Sequence, residues 1–258
     1  MNISIFSTDY NKTNDIKQLI IDECFKRGHR INDINPDIIF YIGGDGTFLK
    51  AVQSNIDRLD EVSFIGINTG TLGFYYDAYQ EDIEDIFSRL DNNALIEHKI
   101  PLLVGNARKD DENVEFYAVN EIQIVAQLSS LRCEVTINDE FFQRYVGSGL
   151  IISSAYGSSG VNKSFLGPVV KSDIPCVIIT PIGPINNNVY NSFSSSLIIK
   201  QDDVIEISKE LNNATIYFDN DKLDDVYDKV SITTSSSYVK VLFRERRNGL
   251  YHLRKSFL

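Results

Sequence analysis

A glycine-rich turn of sequence GGDGT, Gly43–Thr47, follows a compact apolar run and precedes a segment that can begin a helix. Glycines let the backbone turn tightly at such a junction, and the N–H groups of a helix N-terminus attract phosphate oxygens. Asp45 would repel phosphate unless it binds a metal ion or takes a proton from an attacking hydroxyl. The alternative is a turn aspartate that caps the helix through its side chain. The turn alone leaves both interpretations open.

Other segments have residue types that suit a nucleotide. The turn Gly70–Phe74 follows a second apolar run, and turns after neighbouring parallel strands meet at the sheet edge where ligands bind. The pair Asn120-Glu121 places an amide beside a carboxylate, which suits ribose hydroxyls or an adenine edge. The small residues of 147–164 can bring backbone close to a ligand, and the alternative for this stretch is a flexible linker.

The elements that must position these segments change in character along the chain. Up to about residue 95, short apolar runs alternate with helical patterns, among them Ile83–Leu90 and a helix that Thr13 or Asn14 can cap. Beyond residue 96, short strands follow one another with a hairpin signal at 138–139. The sequence therefore predicts an N-terminal α/β nucleotide-binding domain with a parallel sheet and a C-terminal all-β, sandwich-like domain.

The domain boundaries follow from the same change of pattern. We expect the α/β domain to span residues 1–95 and the β-rich domain to span 96–243, with the active site between them. The basic tail 244–258 is expected to pack back on the first domain.

Composition narrows the class of protein. Lys+Arg 25 against Asp+Glu 36 gives a net charge of −11, which disfavours a nucleic-acid partner. The scattered Cys24, Cys133 and Cys176 suit buried thiols in a reducing compartment. No signal-peptide pattern and no membrane-length apolar run occurs, which predicts a soluble cytoplasmic protein without membrane contact. The histidines lie in no triad-like pattern, which disfavours a hydrolase.

The segments described above, in this order and at this spacing, resemble the NAD kinase family across nearly the whole chain. The family's signatures are a GGDGT loop, a glycine-rich turn ending in LGF, an Asn-acidic pair and a glycine-rich loop of the form GDGL…TPxGSTAYN. They correspond here to Gly43–Thr47, Gly70–Phe74, residues 120–121 and residues 147–162. The stretch from Ile185 and the closing basic tail resemble those of Gram-positive members. GGDGT also occurs in lipid kinases, so the LGF turn and the Asn-acidic pair single out this family.

The resemblance implies an activity and its partners. The terminal phosphate of ATP, or of polyphosphate, would pass to the 2′-hydroxyl of the adenosine ribose of NAD to give NADP. Asp45 would be the general base, and a divalent ion, Mg²⁺ in most members, would offset the phosphate charge. The resemblance also implies a homodimer or homotetramer whose β domains complete one another's sites.

The resemblance also implies roles for individual residues. The phosphate would meet Gly44, Gly46 and Thr47, and the second turn would contribute Leu72 together with Phe74, which contacts the adenine. Asn120 and Glu121 would hold the ribose. Ser158 and Ser159 would line the adenine side of the glycine-rich loop, with Ser164 nearby and Gly160 in the same nucleotide site. Ser148 would replace the carboxylate that meets the nicotinamide end.

Departures from the family pattern cluster in the second half. Ser148 replaces a carboxylate, Val146 replaces a basic residue, and Val161 replaces an aromatic one. A later Asp-Gly pair reads Asp219-Asn220. These changes leave two alternatives open: a relative that binds an adenine dinucleotide without turning it over, and a GGDGT-type kinase for another alcohol.

Overall fold

A computed structural model describes residues 1–8, 10–70, 73–246, 250 and 253–254. Leu72 and parts of the basic tail (247–249, 251–252 and 255–258) lie outside the described residues. The chain divides into two compact units, one formed by Met1–Ile100 with the described residues that follow Ser236, and the other by Pro101–Ser236. The chain passes between the units within two long strands, Ile96–Lys109 and Lys229–Phe243.

The first unit alternates strands and helices around a parallel sheet. Its elements are β1 (Asn2–Ser7), α1 (Tyr10–Lys26), β2 (Arg30–Ile31), β3 (Ile38–Ile42), α2 (Asp45–Gln53), β4 (Ser63–Ile67) and α3 (Ile83–Asp91), with short 3₁₀ helices at Ile56–Arg58 and Gln80–Asp82. The sheet order is β2-β1-β3-β4, with parallel pairing throughout. The end of the Lys229–Phe243 strand continues it, because Val241 pairs with Phe64 in parallel. The predicted α/β fold is confirmed.

The core of this unit follows from the apolar patterns. Every residue of β3 is buried, as expected for a central strand covered on both faces. Helix α3 buries its apolar stripe of Ile83, Ile86, Phe87 and Leu90. The predicted N-cap of the first helix is wrong, because α1 begins at Tyr10. Thr13 is instead buried inside α1, since the chain enters this helix nearly one turn earlier.

The second unit consists mainly of antiparallel strands. They are β5 (Ile96–Lys109), β6 (Glu112–Ala118), β7 (Glu121–Ala126), β8 (Leu131–Ile137), β9 (Glu140–Gly147), β10 (Gly149–Ser154), β11 (Cys176–Ile182), β12 (Leu197–Lys200), β13 (Ile205–Ser208), β14 (Ala214–Phe218), β15 (Asp221–Lys222) and β16 (Lys229–Phe243). A short 3₁₀ helix, Leu211–Asn213, precedes β14.

Two sheets form this unit and share one core. One sheet has the order β12-β11-β10-β7-β14-β15, and the other contains β16-β13-β8-β9 together with the β5–β6 pair. One apolar cluster includes Ile124 and Ile216 from the first sheet and Val135 and Val230 from the second. The predicted sandwich-like β domain is therefore confirmed.

Local predictions in the second unit have mixed outcomes. The hairpin at 138–139 is confirmed, because Asn138 and Asp139 have φ of 51° and 64° and join β8 to β9. The linker alternative for the glycine-rich stretch is wrong: the 3₁₀ helix Gly157–Ser159 and the short helix α4 (Val161–Ser164) follow β10 directly. In the described part of the chain, no helix is long and apolar enough to cross a membrane.

Candidate active site

Asp45 lies where β3 gives way to α2, at the carboxyl end of a central parallel strand. Asp45 is the first residue of α2, and Gly44 before it is the N-cap residue, which makes no side-chain capping hydrogen bond. Its carboxylate accepts the backbone N–H of Phe74 at 2.9 and 3.1 Å and that of Tyr75 at 3.4 Å. The capping alternative is therefore wrong, because this side chain binds the second glycine-rich turn instead.

Glycines permit this close approach of the two turns. A Cβ on Gly73 would lie 2.7 Å from Oδ1 of Asp45 and would overlap the ring of Tyr76. Gly43 has φ of +153°, and a Cβ there would overlap the Thr47 side chain. A Cβ on Gly44, by contrast, would meet nothing within 4 Å, so the space beside this residue is open. Protein atoms therefore pack closely around the Asp45 carboxylate, whereas the space beside Gly44 is free for a ligand.

The electrostatics of this turn favour a carboxylate that can act as a base. Burial raises the pKa of Asp45, and the N–H groups of Phe74 and Tyr75 partly oppose that shift. Thr47 is buried and its hydroxyl lies 3.2 Å from that of Thr8, so this side chain supports the turn. Gly46 is exposed at the start of α2, where the first N–H groups of a helix lack intrahelical partners. The backbone, more than the Thr47 side chain, is thus available to an anion.

A second carboxyl group, Glu121, lies in the β-rich unit at the start of β7. Its side chain is buried, at 4% exposure, and Asn120 beside it is half-buried. Burial first, and then the nearby Asp219, raise the pKa of Glu121 to about 8, against a weak hydrogen bond from Gln123 at 3.4 Å. A carboxyl group with this pKa is largely protonated at neutral pH, so it can donate as well as accept hydrogen bonds.

The glycine-rich loop packs directly on this pair. A Cβ on Gly157 would overlap the backbone carbonyl of Asn120, and one on Gly160 would come within 3.9 Å of Oε2 of Glu121. Ser159 is half-buried and Gly160 is exposed beside it. The structure therefore brings residues 120–121 and 157–160 together.

Ser158 does not present its hydroxyl to a ligand. The side chain is fully buried; Oγ donates to the carbonyl of Ala155 at 2.7 Å and accepts the N–H of Val170 at 3.0 Å. Asn162, outside our predicted site, ties the same loop together, because its amide donates to the carbonyls of Ser158 and Pro168. Both side chains hold the shape of the loop.

Ser164 and Ser148 lie by a cavity of about 690 Å³ in the β-rich unit. The cavity is lined by Ser164, Phe165, Leu166, Pro168, Pro181, Gly183, Pro184, Ser194, Ser195, Ser196 and Ile198. Ser148 adjoins it, since a Cβ on Gly183 would lie 2.9 Å from the Ser148 hydroxyl. The lining carries hydroxyl and apolar groups and no charged side chain.

The predicted residues thus fall into three groups. Gly44, Asp45, Gly46, Thr47 and Phe74 gather in the first unit, while the pair 120–121 with 157–160, and the cavity with Ser148 and Ser164, belong to the second. Asp219 is not among the predicted site residues, because it contacts the segment before Glu121 from about a hundred residues away in sequence. No cluster of three or more His, Cys, Asp or Glu side chains suited to a metal occurs among the described residues.

Family models match most of the chain. Residues 6–95 match the family described as the ATP-NAD kinase N-terminal domain, and residues 117–245 match the ATP-NAD kinase C-terminal domain. The chain belongs to the NAD kinase family. It is 31% identical over 226 residues to the NAD kinase of Leuconostoc mesenteroides, covering 86% of this chain and 85% of that one. It is 33% identical over 227 residues to the NAD kinase of Streptococcus agalactiae, covering 84% and 82%.

Solved structures of NAD kinases and NADH kinases share the fold. Yeast NADH kinase complexed with NADH has a TM-score of 0.86 at 16% identity, covering 99% of this chain and 86% of that one. An NAD kinase from Archaeoglobus fulgidus in complex with ATP has a TM-score of 0.79 at 20% identity, covering 99% and 98%. At these identities the likeness establishes the fold alone.

Proposed function

We propose that this chain is an NAD kinase that transfers the terminal phosphoryl group of ATP to the 2′-hydroxyl of the adenosine ribose of NAD. The observation that supports it most is the Asp45 carboxylate, held by two backbone N–H groups beside an open glycine turn. Family membership supplies the identity of the reaction, and the turn supplies a group able to perform its proton transfer.

Asp45 acts as the general base in this proposal. It takes the proton of the ribose 2′-hydroxyl as that oxygen bonds to the γ-phosphorus and the bond to the β–γ bridging oxygen breaks, so that ADP leaves. Burial raises the pKa of Asp45, which makes the carboxylate a better proton acceptor than an exposed aspartate. The N–H groups of Phe74 and Tyr75 fix its orientation, so little reorganisation is needed when the hydroxyl arrives.

The backbone N–H groups at the start of α2 bind the phosphate in this proposal. The N–H groups near Gly44 and Gly46 lie at the positive end of the helix dipole, and open space adjoins Gly44. A divalent ion such as Mg²⁺ would be held mainly by the nucleotide phosphates, because Mg²⁺ commonly binds substrate phosphates and keeps several waters. It would neutralise the charge of the transferred group, and the Asp45 carboxylate would stay free to take the proton of the hydroxyl.

The pair Asn120 and Glu121 is proposed to hold the adenosine ribose, with Ser159, Gly160 and Phe74 near the adenine. The ribose offers hydroxyls that donate and accept, and an amide beside a buried carboxyl group matches both roles. The nicotinamide end is proposed to lie by Ser148 and the cavity that contains Ser164. Leu72 remains a predicted contact.

A turnover assay tests this function. Purified protein with Mg²⁺ and ATP or polyphosphate is offered NAD, NADH or AMP, and NADP or NADPH is measured. We expect NADP from NAD and ATP, with kcat lowered by about 10²–10⁴-fold in Asp45→Asn while the variant keeps the unfolding temperature of the wild type. Binding of NAD without turnover would instead support the non-catalytic alternative, and phosphorylation of a different alcohol would support the other one.

We also propose that the protein forms a homodimer or homotetramer in the cytoplasm. Strand β9 is the last strand of its sheet in the described chain, and its Phe141 and Phe142 are exposed. Aromatic side chains on an edge strand favour association with another chain. Light scattering of the purified protein would give the oligomer size.

A further inference from the structure

We propose that Asp219 is a positioning residue for the dinucleotide: its carboxylate clasps the backbone of residues 119–121 and so sets where Asn120 and Glu121 meet the ribose. This inference rests on the ribose role proposed for Asn120 and Glu121. Asp219 itself is assigned no contact with the substrate.

The clasp consists of hydrogen bonds in both directions. Oδ2 of Asp219 accepts the N–H of Val119 at 2.8 Å, and Oδ1 accepts the N–H groups of Asn120 at 2.8 Å and Glu121 at 3.4 Å. In return, the N–H of Asp219 donates to the carbonyl of Glu121 at 3.0 Å. One side chain therefore satisfies the backbone donors of a segment that lies between β6 and β7. Hydrogen bonds to an ionised carboxylate are stronger than those between neutral groups.

The carbonyl groups of the same segment are held from the opposite strand. The Ser154 hydroxyl donates to the carbonyl of Val119 at 2.7 Å, and the Ser154 N–H donates to the carbonyl of Asn120 at 2.8 Å. Gly157 then packs against that carbonyl. Donors and acceptors of the segment are thus accounted for, and Asp219 is the charged member of the arrangement.

A turn with a left-handed backbone conformation positions Asp219 for these contacts. Asp219 and Asn220 join β14 to β15, and Asp219 has φ of 50°, in the left-handed region. Aspartate and asparagine tolerate this region better than other residues with side chains. Because Phe218 pairs with Ile122, the turn that follows β14 comes directly opposite residues 119–121.

Asp219 also acts on Glu121 through its charge. Among the described groups that face Glu121 are Asp219 from the β14–β15 turn, Gln123 on its own strand and the backbone of Gly160 from the glycine-rich loop. Asp219 is the one of these that carries a charge, and it helps to keep the proton on Glu121. The carboxylate therefore sets both the position and the protonation state of the proposed ribose-binding group.

Asp219→Asn and Asp219→Gly test the proposal, with Asp221→Asn as matched control. The Asn variant keeps one acceptor oxygen and loses the charge, while the Gly variant adopts the left-handed turn freely and loses the clasp. Asp221 lies in the same hairpin but is exposed, and its carboxylate accepts only the neighbouring Lys222 N–H among its described contacts. We expect the KM for NAD to rise about tenfold or more in both Asp219 variants, with the KM for ATP changed less than about twofold.

The pH profile separates positioning from a merely structural role. We expect the KM for NAD in the wild type to change near the pH at which Glu121 titrates, and Glu121→Gln should remove this inflection. In Asp219→Asn the inflection should move to lower pH, because the negative charge beside Glu121 is gone. A structural defect would not shift it.

Hydrogen exchange tests the clasp without any activity. The amides of residues 119–121 should exchange faster in Asp219→Gly than in the wild type or Asp221→Asn, by more than the change in the global free energy of unfolding explains. Unaltered exchange and an unaltered KM for NAD would overturn the inference, as would a parallel loss of both substrates with loss of stability. If the wild type does not phosphorylate NAD, the proposed function fails. The Asp219 variants are then compared by calorimetric titration with NAD, where unchanged affinity overturns the positioning role.

Discussion

Asp45 and Glu121 are both carboxyl groups withdrawn from solvent, but the chain holds them in different ways. Asp45 is held by its side chain, which accepts N–H groups from a neighbouring turn. Glu121 is held by its backbone, which Asp219 and the β14–β15 turn secure, while its side chain has, among the described residues, a single weak hydrogen bond, from Gln123. A group that moves a proton benefits from a fixed carboxylate. A group that binds hydroxyls benefits from a fixed backbone and a side chain that can adjust.

The same contrast applies to the glycines of the two regions. Gly73 allows the second turn to reach the Asp45 carboxylate itself, whereas Gly157 allows the loop to reach the backbone of Asn120. In each region the glycine lies where any side chain would push the functional segment away. The difference suggests that substitutions near Asp45 affect the chemical step, while those near Glu121 affect substrate binding and its pH dependence.

The largest effect is expected from Asp45→Asn. The amide can still accept one backbone N–H but cannot take a proton, so kcat should fall by about 10²–10⁴-fold. NAD binding measured by calorimetry should change little, because the shape of the turn is kept. The matched control is Asp57→Asn on the exposed surface of the same unit, with NADP formation as the assay. A kcat within a few-fold of the wild type would show that Asp45 is not the base.

The strand, turn and helix around Asp45 can be predicted from the sequence, because each depends on residues that are neighbours in the chain. The strand Ile38–Ile42, the glycine turn and the helix after it are adjacent in sequence, so apolar pattern and turn residues define them. The partner of Asp45 could not be predicted in the same way. Its carboxylate accepts hydrogen bonds from the backbone N–H groups of residues 74 and 75. Because nearly every residue has a backbone N–H group, the residue types do not show which of them bind Asp45.

The β-rich unit shows the opposite balance. Strands β6 and β9 carry many exposed polar or aromatic residues, so they lack the apolar alternation that identifies a strand. Asp219 stands out in the sequence only as part of a divergent pair, because its contacts with residues 119–121 arise from the pairing of β14 with β7. The Ser158 hydroxyl resembles a ligand contact in sequence, yet burial directs it to Ala155 and Val170.

Gly73→Ala should have the next largest effect. The added methyl group would come within 2.7 Å of Oδ1 of Asp45 and overlap Tyr76, so either the carboxylate or the turn must shift. We expect a loss of about 1–3 kcal/mol in the free energy of unfolding, as for overpacked sites, and a lower kcat. Gly70→Ala is the control, because its methyl group would make only an ordinary contact of 3.6 Å with Asn68. Equal unfolding temperatures for the two variants in thermal melts would contradict the close approach.

Glu121→Gln should change how stability depends on pH. In the folded chain burial and Asp219 raise the pKa of Glu121 to about 8, above its ordinary value of 4.5. The folded state therefore keeps a proton that the unfolded state releases, and stability falls as pH rises from about 4.5 to about 8. The glutamine variant lacks this loss, so its advantage in unfolding free energy should grow across that window, by at most about 1.4 kcal/mol for each pH unit.

Urea unfolding at several pH values measures that difference. Glu112→Gln, on the exposed start of β6, is the matched control and should follow the wild type. A constant difference between Glu121→Gln and the wild type across the window would mean that Glu121 is ionised in the folded chain at neutral pH.

The smallest expected effect is that of Ser148→Asp. The cavity beside Ser148 is lined by hydroxyl and apolar groups without charge, so it offers no electrostatic preference between the cationic nicotinamide of NAD and the neutral ring of NADH. A carboxylate at this exposed position would attract the cation by about 1 kcal/mol or less. We expect the ratio of kcat/KM for NAD to that for NADH to rise by up to about fivefold.

Ser236→Asp, an exposed serine in β16, adds the same charge elsewhere in the unit and should leave the ratio unchanged. The comparison must be repeated in high salt, because screening should reduce the gain at position 148 if it is electrostatic. A ratio that does not respond to Ser148→Asp would place the nicotinamide away from this cavity. The two carboxyl regions would then remain as the determinants of catalysis and ribose binding, with discrimination between NAD and NADH assigned to residues other than Ser148.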